Sequence, residues 1–101
     1  MGTLKWTPRA LKELQRIYDF IYQDSPQAAE AFRERLLRAT DRLARFPESG
    51  RRVPEYPSRE YREIIVDSYR VIYRSESDLV VIAAVLHGRR RINGEAGRLA
   101  D

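Results

Sequence analysis

Two copies of one signal, close together, constrain this chain more than anything else in it. Thr7-Pro8 and Ser25-Pro26 each set a hydroxyl residue before a proline. Such a hydroxyl accepts from an amide of the first helical turn, and proline at the first helical position gives up an N–H that has no partner there. Leu11, Leu14, Ile17, Tyr18 and Ile21 follow the first signal at helical spacing, to about Gln23. Phe32, Leu36, Ala39, Leu43 and Phe46 follow the second, stepping by four, three, four and three. Pro47 stops this stripe, because the residue before a proline is pushed out of the helical region. Almost nothing separates the two stripes, so the pattern predicts an antiparallel helical hairpin.

The rest of the chain has a different period. Leu4-Lys5-Trp6 is a short extended piece ahead of the hairpin. Residues 47–58, PESGRRVPEYPS, hold three prolines and a glycine and read as a loop. EYREIIV, YRVIYR and LVVIAAVLH then follow, rich in β-branched and aromatic residues. Asp67-Ser68 and residues 75–78 separate them as tight turns, which predicts a three-stranded antiparallel meander. The expected fold is α+β: a short N-terminal strand, a helical hairpin, then the meander. With 101 residues and no break in composition, one domain over residues 1–91 and a flexible tail over 92–101 are expected.

Side chains alternate between the faces of a strand, so the turns decide which residues meet. A two-residue turn at Asp67-Ser68 sets Val66 opposite Tyr69, Ile64 opposite Val71 and Arg62 opposite Tyr73. A second turn closed by Arg74 and Leu79 sets Ile72 opposite Val81 and Arg70 opposite Ala83. The face under the helices then carries Ile64, Val66, Tyr69, Val71, Tyr73, Val80, Ile82, Ala84 and Leu86. The other carries Tyr61, Glu63, Ile65, Arg70, Ile72, Arg74, Leu79, Val81, Ala83, Val85 and His87. Two helices cannot easily cover both faces, so this second strip is expected to stay open, edged with arginines, as partner surfaces are. Arg70 and Arg74 have a plainer use as well, pairing with Glu63 or stacking on Tyr61.

Composition removes several function classes. There is no cysteine and a single histidine, so disulfides, thiolate metal sites and most histidine metal sites are excluded, and no metal or cofactor is expected. No segment reaches 18 consecutive apolar residues, and the start lacks a signal-peptide pattern, so a cytoplasmic protein is expected and no membrane partner. The net charge is +4, and of the 19 basic residues only Lys5 and Lys12 are lysine. Arginine is the residue that clamps phosphates and carboxylates, which points towards an anionic partner.

No catalytic triad, phosphate-cradling glycine loop or paired carboxylate site stands out. The one chemistry the residues offer is metal-free RNA cleavage, with an acid or base and cations at the phosphate. His87, Arg70, Arg74 and Tyr61 supply those types. They equally make a basic surface without catalysis, and the pattern leaves enzyme and non-enzyme both open.

The segments WTPRALKELQRIYDFI, SPQAAEAFRERL, LARFPESGRRVPE, YREIIVDSYRVIYR and VLHGRRR together resemble the RelE/ParE superfamily of bacterial toxins, nearer the ParE branch. They span about residues 4–91. The resemblance implies a toxin of a type II toxin–antitoxin system, of the plasmid-stabilisation kind. Its expected partner is a ParD-like antitoxin from the adjacent gene, which alone contacts operator DNA. ParE-like members are associated with poisoning DNA gyrase, RelE-like members with cutting mRNA on the ribosome. The nucleases tend to carry lysines and arginines on the central strands and a C-terminal tyrosine or histidine. Here no lysine follows Lys12 and no tyrosine follows Tyr73, while His87 remains. A gyrase inhibitor is therefore the first expectation, with an RNase or an inert antitoxin-binding module as alternatives. The expected antitoxin surface is Ile65, Ile72, Leu79, Val81, Val85, Arg70 and Arg74. The expected target-binding set is Arg62, His87, Arg89, Arg90 and Arg91.

Overall fold

The computed structural model describes residues 2–56 and 60–90. Strand β1 (Thr3–Trp6) leads into helices α1 (Pro8–Asp24) and α2 (Pro26–Arg45), followed by β2 (Arg51–Arg52), β3 (Arg62–Val66), β4 (Tyr69–Glu76) and β5 (Leu79–His87). The class is the expected α+β, but the sheet has five strands, in the order β1-β5-β4-β3-β2. β1 joins the meander parallel to β5, and β2 lies in the segment expected to be loop, pairing antiparallel with β3.

One residue joins the two helices. Ser25 is extended (φ −156°, ψ 105°); its amide donates to Ile21 O, ending α1, while its hydroxyl accepts from Ala28 N, starting α2. Thr7 has a similar double use. Its hydroxyl accepts from Ala10 N and donates to Ala83 O, and its amide donates to Ile82 O. The cap that starts α1 thus also fastens it to β5, and Thr7 is buried.

The helices lie on one face of the sheet. Ala10, Phe32, Leu36 and Leu43 pack with Val66, Val71, Tyr73, Val80, Ile82 and Val85. Three residues of the expected stripes fall outside this core, one of them Tyr18, whose hydroxyl donates to Glu30. Leu11 is 52% exposed, and Phe46, which caps α2, is 54% exposed with the Arg42 guanidinium 5.8 Å from its ring centre. Helical spacing gives a width of stripe, not its edge, and Ala10 takes the buried place beside Leu14.

The β3–β4 register is the expected one, from Arg62 opposite Tyr73 to Val66 opposite Tyr69. The β4–β5 register is not. Ser75 and Glu76 continue the strand, so the turn is only Ser77 and Asp78, with Ser77 at φ 50°. A β-bulge between Ile72 and Tyr73 on one side and Ile82 and Ala84 on the other then adds a residue to β5. Beyond it every side chain of β5 changes sides. Ala84 and Leu86 join the face away from the helices, while Val85 packs in the helix-side core and His87 lies against Tyr69 on the same side. That second face is also not open. Val53 and Tyr61, with Tyr56 beside them, cover Ile72, Ala83, Ala84 and Leu86 as a smaller core.

Tyr73 ties the loop after α2 to the sheet. Its ring is fully buried, and its hydroxyl donates to Pro47 O (2.8 Å) and accepts from Gly50 N (2.9 Å). Burial pushes the hydroxyl above the usual tyrosine pKa, partly opposed by the Gly50 amide. Glycine is needed at position 50, where a Cβ would stand 2.6 Å from that hydroxyl and 2.7 Å from Glu63 O.

Two measurements check this packing. Leu36→Ala, at a fully buried position, is expected to cost about 2–5 kcal/mol in urea unfolding, and Leu11→Ala under about 1 kcal/mol. Equal costs would displace the helix faces assigned above. Tyr73→Phe strands two backbone groups and is expected to cost about 1–3 kcal/mol; a neutral Tyr73→Phe would mean that the loop does not hang on that hydroxyl.

Candidate functional site

Glu63 on β3 and Arg70 on β4 sit on the face away from the helices, and both are almost completely buried. They are diagonal neighbours, because Arg70 pairs in register with Ile65, two residues beyond Glu63. Arg70 Nε donates to Glu63 Oε1 at 2.7 Å. Its two terminal nitrogens meet Glu55 Oε2 and Oε1 at 2.7 and 2.8 Å, a bidentate clamp from the covering loop. Nη1 also donates to the carbonyl of Arg90 at 2.8 Å. Arg51 on β2 completes the chain, with Nε at 2.6 Å from Glu63 Oε2. The alternation of two arginines with two glutamates leaves the cluster neutral. Hydrogen bonds donated to Glu55, and then those to Glu63, hold the Arg70 guanidinium above the usual arginine pKa despite its desolvation.

His87 stands elsewhere. It pairs in register with Tyr69, and the two rings meet edge to face at 5.8 Å on the helix side. Tyr69 in turn packs on Phe32, with ring centres 5.3 Å apart. His87 is exposed, and its Nδ1 accepts from Arg89 N at 3.2 Å. Gly88 N donates to Ser68 O at 2.7 Å, closing the end of β5 onto the β3–β4 turn. Arg35 of α2 grips the same turn through both carboxylate oxygens of Asp67.

Of the residues that RNA cleavage would use, Tyr61 and Arg70 lie together on the covered face, and Arg74 shares it, paired with Glu76. His87 is separated from them by the sheet itself. Of the expected antitoxin surface, Ile72, Val81, Val85 and Arg70 are buried within the fold, Val85 on the helix side. Ile65 is 57% exposed, and Leu79 and Arg74 are partly exposed. Of the expected target set, Arg62 is half-buried and donates to Gly50 O, while Arg89 and Arg90 are exposed beside His87. Arg91 and the tail over 92–101 lie outside the described residues.

Glu55 and Arg51 lie in the segment expected to be loop and are absent from the expected site. The available signal was the pair of apolar residues, Val53 and Tyr56, flanking Glu55. Among the described residues no group of histidines or carboxylates is arranged to hold a metal, and no helix is long and apolar enough to cross a membrane.

With this geometry in hand, comparison with known proteins gives a consistent result. The family described as the ParE toxin of the type II toxin–antitoxin system parDE matches residues 4–92. Toxin RelE2 of Caulobacter vibrioides is 38% identical over 91 residues, 89% of this chain and 99% of that protein. Toxin RelE3 of the same organism is 28% identical over 91 residues, 90% of this chain and 99% of that protein. The solved structure "Chromosomal ParDE TA system from P. aeruginosa" has the same fold, with a TM-score of 0.68 at 21% identity, covering 86% of this chain and 96% of that one.

The ion cluster has a direct test. Arg70→Met takes the guanidinium from Glu55 and leaves the buried Glu63 with Arg51 alone, and is expected to cost about 3–5 kcal/mol. Adding Glu63→Gln and Glu55→Gln is expected to recover part of that loss in the same denaturation measurement. A single Arg70→Met variant as stable as the parent would contradict the buried arrangement.

Proposed function

The chain belongs to the ParE toxin family of type II toxin–antitoxin systems, and on that premise we propose that it arrests growth by docking on DNA gyrase in the cytoplasm, without catalysis of its own. The observation that carries this proposal is the separation of His87 from Arg70. RNA cleavage asks for a proton-transfer group and cations converging on one phosphate. Here the strand arginine is consumed by Glu55 and Glu63, and the histidine projects from the opposite side of the sheet. Docking needs only an accessible rim, and Arg89 and Arg90 beside His87 provide one. A cognate antitoxin holds the protein inactive, meeting the accessible part of the expected strip at Ile65, Arg74 and Leu79.

The test is supercoiling by purified gyrase in the presence of the purified protein. Inhibition is expected, weakened about tenfold or more when Arg89 and Arg90 are both changed to Glu. His87→Ala is expected to stay within about threefold of the parent, whereas loss of a general acid or base costs about 10²- to 10⁴-fold. Untouched supercoiling, with ribosome-bound mRNA cut in a parallel translation reaction and the cutting lost in His87→Ala, would replace this proposal with the endoribonuclease.

A further inference from the structure

β1 accompanies β5 only from Leu79 to Ile82, so among the described residues β5 runs on to His87 without a strand neighbour on that side. Helix α1 leans over the bare stretch. Glu13 turns inward from α1 and accepts from Val85 N at 2.9 Å, while its other oxygen accepts from Arg9 Nε at 3.2 Å. Beyond Glu13 the helix and strand diverge into a cleft of about 320 Å³. Its walls are Ile17, Phe20, Tyr69 and Val85, with the backbone at Leu86 between them, and its rim holds Arg16, His87 and Arg90.

Three features of this cleft point to a ligand. Phe20 is 68% exposed at its lip, a large apolar surface that the fold itself does not use. Arg16 and Arg90 at its rim have no acidic partner among the described residues, which leaves both charges open to a ligand. The one acid in the lining, Glu13, is already committed to Val85 N and Arg9. An apolar slot edged with unpaired cations is complementary to an apolar side chain with carboxylates close by. The volume suits one or two bulky side chains, and the floor is firm, since Tyr69 is held between Phe32 and His87.

We propose that this α1–β5 cleft is an anchor pocket for an acidic amphipathic segment of the antitoxin, whose apolar side chain enters against Phe20 and Ile17 while its carboxylates meet Arg16 and Arg90. The proposal rests on the reading that an antitoxin holds this chain, and it adds a second contact on the side of the sheet opposite Ile65. Because His87 and Arg90 also belong to the rim assigned to target docking, an antitoxin seated here covers that rim.

The experiment is binding of the purified product of the neighbouring gene to the purified full-length chain by titration calorimetry. Phe20→Ala and the pair Arg16→Glu with Arg90→Glu are each expected to weaken binding by about tenfold or more. Arg45→Glu, an exposed change at the far end of α2, is expected to leave it within about threefold, and circular dichroism confirms that every variant is folded. Tight binding of the parent with equally tight binding of the folded cleft variants overturns the pocket and leaves the antitoxin reading standing. No binding by the parent overturns both. Equal losses in Arg45→Glu and the cleft pair overturn it in favour of unspecific attraction to a basic protein. Single-stranded RNA bound by the parent and lost in the cleft variants, with antitoxin binding unchanged, overturns it in favour of a nucleic-acid site.

Discussion

A single guanidinium holds four separate pieces of this protein together. Arg70 lies on β4, Glu63 on β3, Glu55 in the covering loop, and the Arg90 carbonyl just past the end of β5. Arg51 extends the link to β2. Buried charges are tolerated only when their partners are in place, and losing one partner costs far more than the pair contributes. These segments are therefore coupled: the loop cannot lift from the second face without breaking the two-pronged clamp of Glu55 on Arg70. The closure of that face, and the course of the chain beyond His87, both follow from it.

The β-bulge in β5 decides how the remaining chemistry is distributed. One extra residue sends His87 to the helix side and leaves Arg70 on the other. A regular ladder would have brought the histidine and the strand arginines to one surface. The protein thus has a neutral, tied-down face under Val53 and Tyr61, and a helix-side end where His87, Arg89, Arg90 and the cleft beside Phe20 meet solvent. A surface with exposed cations and an apolar slot is suited to docking rather than to proton transfer.

Much of this was legible in the sequence. Thr7-Pro8 and Ser25-Pro26 mark both helix starts, and Asp67-Ser68 sets the β3–β4 register, because caps and two-residue turns are local chemistry. The second turn was misplaced because Ser75 and Glu76 look like turn residues, yet an exposed strand end accepts them as readily. The bulge left no mark in LVVIAAVLH, since two adjacent alanines read the same in either register. Arg51, Glu55 and Val53 were lost among prolines, because their role depends on a face of the sheet that lies more than ten residues away. Where function depends on long-range register, as with His87 and Arg70, local pattern names the residue types but not their partners.

Arg70 is enclosed by carboxylates and does not face a phosphate. Its Nε–H signal in a nitrogen–proton correlation spectrum at neutral pH reports on this directly. The arrangement requires a sharp, slowly exchanging signal, shifted downfield by Glu63 and unmoved as a single-stranded RNA oligonucleotide is added. A signal lost to rapid exchange with water, or one that moves in proportion to the added RNA, would contradict it.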